Sequence, residues 1–146
     1  MYTSLAISVI FFVLKAMGLQ SLAKNQAIKK NWIAWIPFLN GWLQCKVVGS
    51  HILFGKFETK HLFAYLLAGS IATDFLFYRR TPISMGLLMV LAGFMVYLTY
   101  IMFRDFYGKY SKRASWLAVV AMICSPLHAI FVTIYSDREM RQLAAD

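Results

Sequence analysis

Carboxylates are scarce in this chain: six Asp and Glu stand against fifteen Lys and Arg in 146 residues. Two cysteines, Cys45 and Cys124, provide neither a disulfide framework nor paired-ligand spacing, so both are expected as free thiols. There is no H-E-x-x-H, no Gly-rich phosphate loop and no G-x-S-x-G elbow, which sets aside zinc proteases, P-loop enzymes and serine hydrolases. His51 and His61 share one basic stretch and only His128 falls inside an apolar run, so a bis-histidine haem site within one chain is not expected. No catalytic residue, metal or cofactor is expected. Also absent is any long polar segment, so 1–146 reads as one domain.

What fills the chain is apolar: 60% hydrophobic residues, 14% charged and a mean hydropathy of +0.61. Soluble chains average roughly 45–50% apolar and ~25% charged, so lipid is the expected solvent. The net charge of +9 lies in short clusters beside apolar runs, not along a basic helix or an aromatic-basic sheet. That pattern argues against nucleic acid and for cytoplasmic anchoring against anionic head groups. The first apolar run lacks a basic n-region and a small-residue cleavage motif, which makes it a retained helix, not a signal peptide.

Hydropathy and length predict an all-α polytopic bundle with four transmembrane helices at about 3–22, 62–78, 83–103 and 114–135. A fifth apolar stretch, 32–49, is badly built to cross. Pro37 lacks an amide proton, Asn40 and Gly41 favour a turn, and Gln44 and Lys46 place polar groups where lipid would be. It is expected to be a broken interfacial or re-entrant segment. If it turns back, the loops 23–61 and 104–113 gather ten basic residues on one side, against Arg79, Arg80, Arg138 and Arg141 on the other. If it crosses, the split is seven to seven. The positive-inside tendency favours the four-span chain in the cell membrane, with those two loops cytoplasmic and both termini outside.

The motif Trp32-x-Ala34-Trp35-Ile36-Pro37-x-x-Asn40-x-Trp42, preceded by the basic turn at Lys29 and Lys30, resembles a pattern in small, uncharacterised multi-span membrane proteins of Gram-positive-type bacteria. The loop from Tyr107 to Ala114 and the Pro126 to Phe131 part of the last helix fit more loosely. Such proteins often continue into an Ile-Ala-Asp-like sequence, where this chain has Lys46, Val47, Val48 and Gly49. The resemblance implies the architecture and brings no activity with it.

Several residues are candidates for function. Asp74 and His128 are the only carboxylate and the only histidine inside the expected spans, placed at comparable depth, and as a pair they can carry protons or bind a cation. The plainer reading pairs Asp74 with Arg79, Arg80 or the His128 imidazole for structural reasons alone, or has it reach head groups. Lys15 shares a helical face with Ser8 and Ser4, and Ser70 shares one with Asp74, giving two polar stripes. Lys15 can snorkel to head groups or meet a ligand, with Asp105 the nearest acidic residue on its side. Trp32, Trp35 and Trp42 can anchor the broken segment at the interface, whereas Pro37 and Asn40 can line a polar cavity with Lys15 or Gln44. Small residues at four-residue spacing, Ala64, Ala68 and Ala72 and then Ala121, Ser125 and Ala129, are the expected close-packing surfaces. The favoured role is a non-enzymatic helper, resistance or assembly subunit that packs with itself or with a larger membrane partner. The alternatives are an oligomeric small transporter or channel using Asp74 and His128, and a membrane-embedded lipid or peptide enzyme.

Overall fold

A computed structural model describes residues 2–37, 39–54, 56–79 and 81–143, and the side chains of these except at 2–5, 79, 125 and 140–143. Helix α1 runs Tyr2–Asn25. Its inner half buries Ala16, Leu19, Leu22 and Ala23 along one face, the i, i+3, i+4 spacing of a stripe turned to a core. It stops in a left-handed residue, Ala27 at φ 55°. The Ile28 amide bonds back to the Ala23 carbonyl at 2.9 Å, so orphan carbonyls of the last turn are satisfied.

The broken segment is a hairpin. A short 3-10 helix, Asn31–Trp35, climbs back along α1, and the Trp35 indole donates to Gln20 Oε1 at 2.8 Å. The chain turns at Pro37, and α2, Asn40–Val48, descends with Leu43, Gln44, Cys45 and Val47 buried. The Lys109 ammonium donates to the Val47 carbonyl, a cation at the negative end of α2. One feature departs from an all-α chain: His51–Leu53 (β1) and Phe57–Thr59 (β2) form an antiparallel pair with Ile52 opposite Glu58.

Helices α3, Leu62–Arg79, and α4, Pro82–Gly108, form a second hairpin. Thr81 starts α4 with a capping box: its hydroxyl accepts from the Ser84 amide at 3.1 Å and the Ser84 hydroxyl accepts from the Thr81 amide at 2.8 Å. Such a cap contributes about 1 kcal/mol. Two helices, α1 over Ala6–Asn25 and α4, are long and apolar enough to cross a membrane. The 18 residues of α3 reach ~27 Å, just short of the ~30 Å hydrocarbon core.

The expected span 114–135 is not one helix. It divides at Cys124 into α5, Ala114–Ile123, and α6, Ser125–Leu143. A proline near the start of a helix is tolerated, whereas inside one it breaks the hydrogen-bond ladder, and Pro126 accordingly sits in the first turn of α6. The direction of α6 is given by its partners. His128 meets Phe103 and Phe106, Phe131 meets Tyr107, and Tyr135 stacks on Tyr110. Rising numbers on α6 meet rising numbers on α4, so the two helices run in the same sense and α5 turns back into α6. Against α1 the order agrees: Thr133 donates to the Leu14 carbonyl at 3.2 Å, while Pro126 and Ala129 lie beside the stretch from Ile7 to Lys15. The chain therefore contains two broken hairpins that enter from one end and turn back.

Packing differs from the expected small-residue stripes on α3. Ala64 and Ala68 are exposed and Ala72 half-buried. The close approach to α4 is at Gly69, where an added Cβ would lie 2.1 Å from Met95 Sδ. Four-residue spacing identifies a small stripe but not the face that meets a neighbour. Ala121 and Ala129 are buried, on either side of the α5–α6 break, and the side chain of Ser125 lies outside the described ones. The tightest crossing joins α1 to α6 at Gly18, 3.0 Å in the same sense from the Thr133 backbone nitrogen.

Candidate functional site

The two hairpin tips meet. Pro37 and Asn40 at the first tip, and Pro126 and Ala129 beyond the second, line a cavity of about 370 Å³ with Ile7, Ser8, Phe11, Phe12 and Lys15 of α1. From Asn25 to Lys15 is about 15 Å along α1, so the first tip reaches that far back along the helix. Lys15 makes no hydrogen bond or ion pair with a described residue, and it is close enough to His128 for their charges to interact. Asn40 is 7% exposed and its side chain has no hydrogen-bond partner among the described residues.

Behind the cavity a buried polar chain joins the hairpins. His128 Nε2 lies 3.3 Å from Gln44 Oε1, and His128 Nδ1 lies 2.7 Å from the Tyr107 hydroxyl. An amide oxygen can only accept, so in the neutral ring Nε2 carries the proton and Nδ1 accepts from Tyr107. All three side chains are fully or almost fully buried, at 0%, 2% and 0% exposure for Gln44, His128 and Tyr107. Gln44 Nε2 is left without a partner among the described residues. The histidine is wedged edge-on between Phe103 and Phe106, 4.5 and 6.0 Å from their ring centres.

Asp74 does not join this group. It is exposed on α3, over a shallow depression with Ser70, Thr73, Ala92 and Met95. His128 packs at Phe103, so the length of α4 from residue 92 to 103, about 16 Å, separates the two. Their expected equal depth assumed that 114–135 was one straight span. Pairing of Asp74 with Arg79 or Arg80 falls on side chains outside the described ones. Ser70 bonds to its own helix, at the Leu66 carbonyl. Asp105, the nearest acidic residue to Lys15 in the expected topology, is held elsewhere. Arg104 grips Oδ1 at 2.7 and 2.9 Å while His51 Nδ1 and the Ile52 amide approach Oδ2 at 3.2 and 3.4 Å. That cluster fastens the β-hairpin to α4.

The residues of the tryptophan motif have different surroundings. Trp32 and Trp35 are 57% and 43% exposed, and Trp42 carries Lys46 over its ring at 5.1 Å, whereas Pro37 and Asn40 face the cavity. Tyr107 was not among the sequence candidates. Its signal was the aromatic run Phe103, Phe106, Tyr107, Tyr110, whose i, i+3, i+4, i+7 spacing marks one face of α4. No protein-family model, curated protein or solved structure matches this chain.

Proposed function

We propose that the chain is an integral membrane protein with three spans, α1, α3 and α4, and two re-entrant hairpins, and that it works by binding a ligand inside the bilayer. One observation carries this reading: two proline-broken hairpins, distant in sequence, end at one cavity beside Lys15. Irregular backbone is tolerated at membrane depth only where protein or a water-filled cavity satisfies it, and interrupted helices are how membrane proteins build midplane binding sites. Exposure adds support. Leu67, Ile71, Met89 and Val90 are 53% to 76% exposed on the α3–α4 hairpin, a surface that lipid accommodates and water does not.

Orientation follows from the returning α6. Arg138 and Arg141 then join the basic residues of 23–61 and 104–113, twelve on one side against Arg79 and Arg80 on the other. That bias is stronger than the ten to four of a four-span chain, and it puts the hairpin mouths and the C-terminal tail in the cytoplasm, with the N-terminus outside. A crevice lined by Lys46, Lys60 and His61 is suited to anionic head groups. In a variant lacking Cys45 and Cys124, Ser111→Cys and Asp137→Cys should react with an impermeant maleimide from the same face and Thr81→Cys from the other. Labelling of positions 111 and 137 from opposite faces restores the four-span chain and removes the second re-entrant hairpin.

A second reading, a helper or assembly subunit, is favoured by Ala64 and Ala68, small, exposed and spaced for close helix approach. Cross-linking through Ala68→Cys to a species of one fixed mass supports it, and a monomer at all lipid densities counts against it. The transport alternative loses the Asp74–His128 pair and keeps Lys15 with His128. Kinship with the tryptophan-motif membrane proteins is likewise proposed on Trp32 to Trp42 alone.

A further inference from the structure

We infer that the cavity between the hairpin tips takes an oxyanion, a carboxylate or phosphate group on a small or amphipathic molecule, with Lys15 as its counter-charge and Asn40 as a hydrogen-bond donor. The inference rests on the membrane-site reading and names what that site holds.

Four observations converge on it. Lys15 stands halfway along an apolar helix, where an unpaired ammonium is costly, and it forms no ion pair with a described carboxylate: Asp105 is engaged by Arg104 and His51, and Asp74 lies over the middle of α4 beside Ala92 and Met95. Asn40 is more than nine-tenths buried, lines the same cavity and has no hydrogen-bond partner among the described residues, so its amide N–H groups are available to an acceptor inside. Both tips present helix starts: α2, nine residues long, begins at Asn40, and α6 begins at Ser125, so the positive ends of two helices lie beside the cavity that Lys15 lines. Finally, His128 adds no competing anion. Its ring is committed to Gln44 and Tyr107, and its immediate neighbours are aromatic. Ile7, Phe11 and Phe12 form the remaining wall, which suits an apolar body attached to the charged group. The volume, about 370 Å³, is at the small end of ligand pockets, which run from ~300 to ~1,000 Å³.

The test uses the full chain in nanodiscs and reads thermal stability and bound mass. In zwitterionic phosphatidylcholine discs, hexanoate and inorganic phosphate are added as free anions and hexanamide as a neutral control. In a second arm the discs contain phosphatidylglycerol. Binding in the first arm identifies a free anion and binding in the second a lipid head group, and either supports the inference if it weakens by about tenfold or more in Lys15→Met, the loss of one charge-assisted contact. Asn40→Asp, close in size and opposite in effect, should weaken the same binding by a comparable factor while leaving hexanamide unaffected. Lys15→Arg should retain it. Equal anion binding by wild type and Lys15→Met overturns the inference. Hexanamide binding without anion binding overturns it too, but leaves the membrane-site reading standing. Failure of all ligands to bind wild type removes both.

Discussion

The two broken hairpins are built to the same plan by different means. The first is short, a 3-10 turn and the nine residues of α2, flanked by exposed tryptophans and stitched to α1 by the Trp35–Gln20 bond. The second is longer, ten residues up and nineteen back, and is held by packing: Ala118 and Ala121 on α5, and Val132 and Tyr135 on α6, sit in the same core as Leu19, Leu22 and Phe106. The difference is one of extent: Ala34, Leu43 and Val47 of the first hairpin lie in that core too, and the second hairpin has its own polar tie to α1, from Thr133 to the Leu14 carbonyl, so each is supported by both kinds of contact. Their shared fixture is the Gln44–His128–Tyr107 chain, which takes one member from each hairpin and one from α4.

Gly18→Val should disturb this comparison most, because it pushes the second hairpin off α1. The new side chain meets Thr133 backbone that cannot step aside, and overpacking of this kind costs about 1–3 kcal/mol, read as a fall in midpoint on denaturation in detergent. The first hairpin, which does not cross at Gly18, should keep its Trp35 fluorescence.

Coupling between the hairpins comes next. Gln44→Leu and His128→Leu each strand a buried polar partner and should each cost about 1–3 kcal/mol, while the double variant should cost less than their sum by about 0.5–2 kcal/mol. Strict additivity would mean that the two tips do not communicate through this bond.

A smaller effect is expected at the foot of α2. Burial lowers the Lys109 ammonium from its usual 10.5, with the Glu139 charge acting in the opposite direction. The folded chain therefore gives up this proton before the unfolded chain does, so stability rises with pH from the lowered value up to about 10.5. Lys109→Met should flatten that rise, and because the group is largely exposed the change is only a modest part of the pH profile. Trp35→Phe is the mildest, removing one exposed hydrogen bond worth about 0.5–1 kcal/mol and loosening only the first hairpin.

Much of this was legible in the sequence, and the first hairpin more so than the second. Pro37 announces the turn because it breaks helix geometry, whereas Asn40 and Gly41, expected in the turn, are the first two residues of α2; the limits of α1, α3 and α4 follow from apolar length. Hydropathy has no direction, however, so 114–135 reads as one long apolar run whether the chain crosses or doubles back. Pro126 alone reads as a kink, and only the contacts of His128 and Tyr135 with α4 reveal a reversal at Cys124. The β1–β2 hairpin escapes because three-residue strands carry too few residues for an alternation to register. At the site, Lys15, Asn40 and His128 could be singled out as polar groups in apolar surroundings. That Asn40 joins Lys15 at a cavity while Asp74 does not depends on three-dimensional packing, which spacing along one helix does not encode.

The Gln44–His128 bond spans 84 positions of the chain. During synthesis the first hairpin leaves the ribosome long before the helix that completes its tip exists. Until α6 is made, the Gln44 amide oxygen lacks its His128 partner and must be satisfied by solvent. The bond that joins the two hairpins is therefore among the last contacts the growing chain can make.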